Sequence, residues 1–89
     1  MRAIISVSGK DTVGILAKVS GLCAEADVNI LDVTQSVLQE FFVMVMLTDL
    51  DGMNLSFKEF TAKMTELGAS IGMDIHVMHE DIFNSMHRI

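Results

Sequence analysis

The fold is decided by the stretch "GKDTVGILAKVSGLCAEADVNILDVTQSV", residues 9–37. It opens with a polar loop that carries Gly9 and Gly14, two positions where the backbone can come close to another group. Residues 28–38 are rich in β-branched side chains and alternate apolar with polar positions, which predicts a strand. Between the loop and this strand, apolar residues recur at helical spacing, which predicts a helix: Ile15, Leu16, Val19, Leu22, Cys23 and Ala26.

Further elements are predicted on both sides of this stretch. Residues 2–8 alternate apolar and polar side chains, and residues 73–79 do the same, so each predicts a strand. Residues 41–49 are apolar on both alternating faces, which is typical of a central strand. Ser56 and Glu59 have the spacing of a capping box and begin a second helix. That helix carries an apolar stripe: Phe57, Phe60, Met64, Leu67 and Ile71.

The predicted order is therefore β-α-β-β-α-β, with a hairpin near residues 39–40 and a helix end marked by Gly68 and Gly72. This order predicts an α+β fold, a ferredoxin-like sandwich with a four-stranded antiparallel sheet and two helices on one face. We expect residues 1–79 to form the domain. Residues 80–89 are expected to form a short C-terminal helical tail that packs on the domain or on a partner subunit. Its apolar residues are Ile82, Phe83, Met86 and Ile89.

Composition narrows the class of protein. The 89 residues include six Lys and Arg against twelve Asp and Glu, a net charge of −6. An acidic chain of this kind is poorly suited to nucleic acid or to an anionic membrane. The apolar runs are too short to cross a bilayer. With one cysteine and no export signal in the sequence, we predict a cytoplasmic protein.

Catalytic, metal and phosphate sites are not predicted. Ile15 and Leu16 stand where a phosphate-binding loop requires Lys and Ser or Thr. His76 and His79 are three apart on a strand, so their side chains point to opposite faces. Cys23 lies on the apolar side of its helix and is expected to be a small buried side chain without a catalytic base. We therefore expect no cofactor, no metal ion and no enzymatic activity.

RNA binding is the alternative that shares the predicted topology. RNA-recognition modules of this topology display aromatic and basic side chains on the third strand. Here "QEFFVMVM", residues 39–46, supplies Phe41 and Phe42 but no Lys or Arg. Together with the acidic composition, this argues against RNA as a ligand.

An amino acid is the ligand that the opening loop suits best. The first helix offers free N–H groups and the positive end of its dipole to a carboxylate, and Gly14 leaves room for it. Asp11 and the amide of Asn29 can meet an ammonium group, so that one loop would hold both charges. The alternative is structural: Gly14 allows close packing, and Asp11 or Thr12 only caps the helix. The residues alone leave both interpretations open.

Residues 2–79 resemble an ACT domain, a small regulatory module that binds amino acids or related small molecules. The resemblance rests on Gly-x-Asp-x-x-Gly-Ile, a helix, and then Asn-Ile with a strand, all within residues 9–37. The stretches "NILDVTQ" and "FFVMVMLTD" are most similar to small stand-alone ACT proteins and to the ACT repeats of the glycine-cleavage repressor. The resemblance implies a regulatory module without catalysis, acting on a regulated enzyme or regulator. A purely structural oligomerisation domain that binds no ligand is the alternative.

The resemblance also implies where a ligand sits. In ACT domains that sense amino acids, it commonly lies between two subunits. One subunit supplies the loop after the first strand, and the other supplies the start of the second strand. Carried over, the site residues are Asp11, Thr12, Val13, Gly14 and Ile15 from one subunit, with Asn29 and Ile30 from the other. Val13 replaces the usual proline, and Gly9 replaces a histidine found in some serine-sensing members.

Self-association is a further expectation. If the first and third strands are central, four apolar side chains are expected together on the sheet face away from the helices: Ile4, Phe42, Met44 and Met46. An apolar patch of this kind does not stay exposed on a soluble acidic protein. We therefore predict a homodimer or a larger assembly, with the tail helping to cover the patch.

Overall fold

Seven elements follow one another in the computed structural model, which describes residues 1–86. They are β1 (Arg2–Lys10), α1 (Ile15–Glu25), β2 (Asn29–Leu38), β3 (Phe41–Asp49), α2 (Phe57–Ile71), β4 (Met73–His79) and α3 (Glu80–Met86). The predicted ferredoxin-like α+β order with a C-terminal helix is confirmed. Ile89 of the predicted tail lies outside the described residues. Among residues 1–86, none of the helices is long and apolar enough to span a membrane.

The four strands form one antiparallel sheet in the order β2-β3-β1-β4. β3 is therefore central, as its two apolar faces predicted, and it pairs with β1 along its whole length. β2 and β4 are the two edge strands. β2 contains an irregularity between Ile30 and Asp32, where its register with β3 shifts by one residue.

The core lies between the sheet and the two long helices. Its buried residues come from both layers: Ala3, Ile5, Val7, Ile15, Val19, Cys23, Phe42, Met44, Met46, Phe60, Met64 and Ile75. The apolar patch predicted on the other face of the sheet is therefore wrong in three of its four residues. Because β3 is apolar on both faces, its sequence does not indicate which of the two faces the helices cover. The prediction assigned the two faces the wrong way round.

The face of the sheet away from α1 and α2, here called the open face, carries Ile4. It pairs with Leu47 on β3 and with Met78 on β4. Helix α3 packs against β1 and β4, and an ion pair between Arg2 Nε and Glu80 Oε2 at 3.0 Å ties its first residue to the sheet. Two apolar side chains of α3 are exposed to solvent, Ile82 at 55% and Met86 at 66%.

The end of α2 differs from the prediction. Gly68 does not mark a fraying end, because it lies buried where α2 packs on β4. A Cβ at this position would lie 2.5 Å from the carbonyl oxygen of Met73, so only glycine fits the contact. Gly72 ends the helix in a left-handed conformation with φ of 71°.

Candidate functional site

The loop after β1 is shorter than the sequence suggests, because β1 continues through Gly9 and Lys10. Gly9 allows β1 to pack closely on the neighbouring strand β4. A Cβ at this position would lie 2.8 Å from Met73 Sδ. The loop proper is residues 11–14. It starts against the β2–β3 hairpin, where the Asp11 N–H donates a hydrogen bond to the Glu40 carbonyl oxygen at 2.7 Å.

The N-terminus of α1 has no side-chain cap. Gly14 occupies the N-cap position with φ of 86° and ψ of 11°, in the left-handed region that favours glycine. The prediction that Asp11 or Thr12 caps the helix is wrong, because the left-handed turn at Gly14 starts the helix at Ile15. The cap position therefore falls two residues after Thr12. Within residues 1–86, no side-chain oxygen accepts a hydrogen bond from the first N–H groups of α1.

The five loop residues of the predicted site differ in exposure. Asp11, Thr12 and Val13 are exposed, and Val13 is 94% exposed. Gly14 is half-buried, while Ile15 is 3% exposed and belongs to the core. Because its side chain is buried in the core, Ile15 could contact a ligand only through its backbone. Within residues 1–86, the Asp11 carboxylate makes no hydrogen bond or ion pair.

Asn29 and Ile30 lie at the other end of the sheet. Asn29 pairs with Asp49, which in turn pairs with Arg2 at the start of β1, whereas Asp11 follows the end of β1. The nine residues of β1 separate the two positions by roughly 30 Å. The expectation that Asp11 and Asn29 meet in one loop of one chain is therefore wrong. The predicted β-α-β order already implied this separation. Its two strands run parallel, so the end of the first and the start of the second lie at opposite ends of the sheet.

The surroundings of these two residues also differ. Asn29 is exposed and has the register of Asp49, so its side chain belongs to the open face at the rim of the sheet. Ile30 is half-buried and packs against the core from the helix side. One chain thus presents the loop of the predicted site at one end and its Asn-Ile pair at the opposite end.

A surface hollow lies beside the loop. It has a volume of about 610 Å³ and is lined by Lys10, Leu38, Gln39, Glu40 and Phe41. Because Asp11 follows Lys10 and bonds to Glu40, this hollow opens next to the Asp11 loop. It is shallow and largely open to solvent, so one chain does not enclose a ligand there.

Groups that could carry other chemistry are placed differently. Cys23 is fully buried, as predicted, and burial raises the pKa of its thiol to about 11. It therefore stays protonated at neutral pH and is a poor nucleophile. In the part of the chain that the structure describes, no three His, Cys, Asp or Glu side chains are grouped to hold a metal ion.

Comparison with known proteins agrees with this architecture. The sequence model of the ACT domain family matches residues 2–78. A UPF0237 protein of Clostridium acetobutylicum is 48% identical over 89 residues, the full length of both chains. An ACT domain protein from Streptococcus pneumoniae superimposes with a TM-score of 0.82 at 37% identity, covering 93% of each chain. A provisionally assigned glycine cleavage system transcriptional repressor shares the fold, with a TM-score of 0.71 at 22% identity over 89% of this chain and 47% of its own.

Proposed function

This chain belongs to the ACT domain family, and from that premise we propose that it is a non-catalytic regulatory module that binds an amino acid or a similar small metabolite. ACT domains are regulatory and typically bind ligands. The observation that carries the proposal is the uncapped N-terminus of α1, directly after the exposed Asp11 loop.

The N-terminus of α1 is proposed to bind the carboxylate of the ligand. In the described part of the chain, the N–H groups of Ile15 and Leu16 at the first turn have no side-chain acceptor, and the helix dipole favours a negative charge there. A Cβ at Gly14 would find only Lys18 Cε, at 4.0 Å, so the approach to this turn is open. Thr12 and Val13 form the exposed rim.

The ammonium group is proposed to lie between two copies of the chain. Asp11 supplies an exposed carboxylate beside the helix N-terminus. Asn29 of the same chain is roughly 30 Å away along the sheet, so its amide reaches the ligand only from a second copy. The complete site thus requires self-association. The edge strand β2, which ends beside the Asp11 loop and begins at Asn29, is the element that joins the two halves.

The remaining assignments follow from this arrangement. We assign the ligand-binding unit to residues 1–79, and we assign residues 80–89 a role in assembly, supported by the exposed Ile82 and Met86. The module would act in the cytoplasm on a regulated enzyme or regulator, by changing its own assembly when the ligand binds. The net charge of −6 supports neither nucleic acid nor membrane as a partner.

A thermal-shift screen of the twenty amino acids tests the ligand. At about 100 times its dissociation constant, a ligand adds about 2.7 kcal/mol to the free energy of unfolding, which shifts the Tm of a domain of this size by roughly 10 °C or more. Unchanged melting curves across the panel would refute the sensor and favour the purely structural oligomerisation domain.

Calorimetric titration with the amino acid so found tests the residues. Asp11→Ala removes a charge-assisted partner and should weaken binding by about 1.5–3 kcal/mol. Asn29→Ala should also weaken binding. Asp74→Ala, which removes an exposed carboxylate on β4, is the matched control and should bind as the wild type does.

Mixing the two variants tests whether the site is shared. A mixed dimer of Asp11→Ala and Asn29→Ala chains contains one site with both substitutions and one site with neither. Tight binding should therefore return at part of the sites after the chains exchange. If binding stays weak after proven exchange, Asp11 and Asn29 do not serve a common site between copies.

A further inference from the structure

An apolar patch lies bare on the open face, at the end of the sheet that carries the β2–β3 hairpin. Leu38 is 75% exposed and Phe41 is 53% exposed, and the neighbouring Val43 is exposed as well. Leu38 pairs with Phe41, which pairs with Lys10, so these three form one row across the sheet. We call Leu38, Phe41 and Val43 the hairpin patch. Apolar side chains exposed together, unlike those exposed singly, mark an interaction site.

Helix α3 covers a different corner of the open face. Ile4 lies on this face and is nevertheless only 6% exposed, because α3 packs there against β1 and β4. The ion pair of Arg2 with Glu80 holds the first residue of α3 at the start of β1. The hairpin patch lies on β2 and β3, level with the end of β1. Its exposure shows that α3 of the same chain does not cover it.

The outer side of α3 is apolar, and its first turn is acidic. Ile82 and Met86 are four residues apart, so they share one side of the helix, and both are exposed. Glu80 and Asp81 stand in the first turn, and no basic residue lies in the last turn up to Met86. The Asp81 side chain is largely exposed. α3 thus presents an apolar side that begins with a negative charge.

The shallow hollow at the hairpin patch has the complementary chemistry. Two of its lining residues, Leu38 and Phe41, belong to the patch and give it an apolar surface. Of its charged residues, Lys10 stands in the same row as these two, whereas Glu40 lies beyond the row in the hairpin turn. Lys10 forms no ion pair within residues 1–86. The hollow can therefore receive an apolar helix side that starts with a carboxylate.

We propose that the hairpin patch binds helix α3 of a second copy of this chain. This inference rests on the role in assembly proposed for residues 80–89 and names the surface that receives them. The apolar side of the partner's α3 packs on the hairpin patch, and the partner's Asp81 lies beside Lys10. Two apolar surfaces that are exposed in one chain are thereby removed from water in a pair.

A two-fold axis lets both copies make this contact at once. α3 and the hairpin patch lie at diagonally opposite corners of the open face, one on β1 and β4 and the other on β2 and β3. When two open faces meet with their strands crossed at about 90°, each α3 lies over the hairpin patch of the other copy. Orthogonal packing is one of the two common arrangements of stacked sheets. The contact therefore closes on itself instead of extending into a filament.

This contact and the proposed ligand site use different surfaces. The uncapped start of α1 lies on the helix side of the sheet, and the hairpin patch lies on the open face. The shared ligand site already requires one contact between copies. A second contact through the open faces then predicts a tetramer with two kinds of two-fold interface.

Light scattering after gel filtration tests the contact. Ile82→Asp places a charge on the apolar side of α3 and should halve the mass of the assembly. Leu38→Asp should do the same from the receiving side. The matched control is Asn84→Asp, which adds the same charge at an exposed position on the opposite side of α3 and should keep the wild-type mass. All three positions are exposed, so each variant should remain folded.

A charge exchange tests which residues meet. Lys10→Glu and Asp81→Lys should each raise the dissociation constant of the contact by about 5-fold, because each places like charges together. The chain that carries both substitutions should regain the wild-type dissociation constant. A double variant that is weaker than either single variant would show that Lys10 and Asp81 do not meet.

The outcomes separate this inference from the proposed function. Wild-type mass in both Ile82→Asp and Leu38→Asp would overturn the open-face contact, and so would an equal loss of mass in Asn84→Asp. Amino-acid binding by Ile82→Asp, measured by thermal shift, should match the wild type, since the ligand site lies on the helix side. If the wild type binds no amino acid while Ile82→Asp still halves the mass, the proposed function fails and the open-face contact stands.

Discussion

The two long helices begin in opposite ways, although both cover the same face of the same sheet. At the start of α2, Ser56 Oγ accepts the Glu59 N–H and Glu59 Oε1 accepts the Ser56 N–H, each at 3.1 Å. At the start of α1, Gly14 is left-handed, and no side chain among residues 1–86 caps the first turn. A capped helix end gains stability from its own residues. An uncapped end lacks that stability, but its first backbone N–H groups remain available to bind a ligand. For this reason we propose the ligand site at the start of α1.

The largest expected effect is at Gly14. Gly14→Val forces a β-branched residue to φ of 86° and should lower the free energy of unfolding by about 3 kcal/mol, measured by chemical denaturation. Gly14→Asn should cost less, because asparagine tolerates the left-handed region. Gly21→Ala, in the open middle of the same helix, should instead stabilise by about 0.5–1 kcal/mol. A stable Gly14→Val protein would show that the left-handed turn is not needed.

Removal of the cap of α2 should have the next largest effect. Ser56→Ala deletes the oxygen that accepts the Glu59 N–H and should cost about 1 kcal/mol of unfolding free energy. The control is Ser70→Ala near the end of the same helix, where the hydroxyl only donates back to the Leu67 carbonyl and alanine has the higher helix propensity. Equal losses in the two variants would contradict the capping role of Ser56.

Acidification should weaken the same cap. Hydrogen bonds from Ser56 lower the pKa of Glu59 below its ordinary value of about 4.3. The contribution of the carboxylate is therefore complete above that ordinary value and is lost as the pH falls through the lowered one. We expect the difference in Tm between wild type and Glu59→Gln to be constant from pH 7 to 5 and to shrink at lower pH. A difference that is independent of pH would rule out a role for the charge.

The smallest effect on stability is expected at Asp11. Its carboxylate makes no hydrogen bond within residues 1–86, and the backbone N–H that donates to Glu40 is kept in alanine. Asp11→Ala should therefore change the free energy of unfolding by no more than about 0.5 kcal/mol, while it weakens ligand binding. A loss near 1 kcal/mol without ligand would restore the capping interpretation of this residue.

Patterns that are local in the chain were predictable. The strand predicted over residues 41–49 is the observed β3, Phe41–Asp49, because an apolar run between two turns is read within a few residues. The capping box of Ser56 and Glu59 is confirmed for the same reason, since both partners lie within one turn. The ACT resemblance also rests on one continuous stretch and is confirmed by the match over residues 2–78.

The site was less predictable, because its parts are far apart in the chain. A glycine at position 14 is compatible with several backbone conformations. Its φ of 86° depends on how the loop connects β1 to the helix layer. The placement of Asp11 and Asn29 at opposite ends of the sheet follows from the direction of β2 relative to β1. The number of residues between Asp11 and Asn29 does not by itself give the distance between them in space.

The sequence by itself therefore determined the order and type of the elements, the cap of α2 and the family, since each is encoded by neighbouring residues. Only the tertiary structure decided that Met44 and Met46 face the helices, that α1 starts uncapped at Gly14, and that one chain holds the proposed site in two separated halves. The physical reason is that the face of a strand and the distance between two loops depend on which strands pair. Strand pairing joins residues that are far apart in the sequence, so it cannot be predicted from any one segment alone.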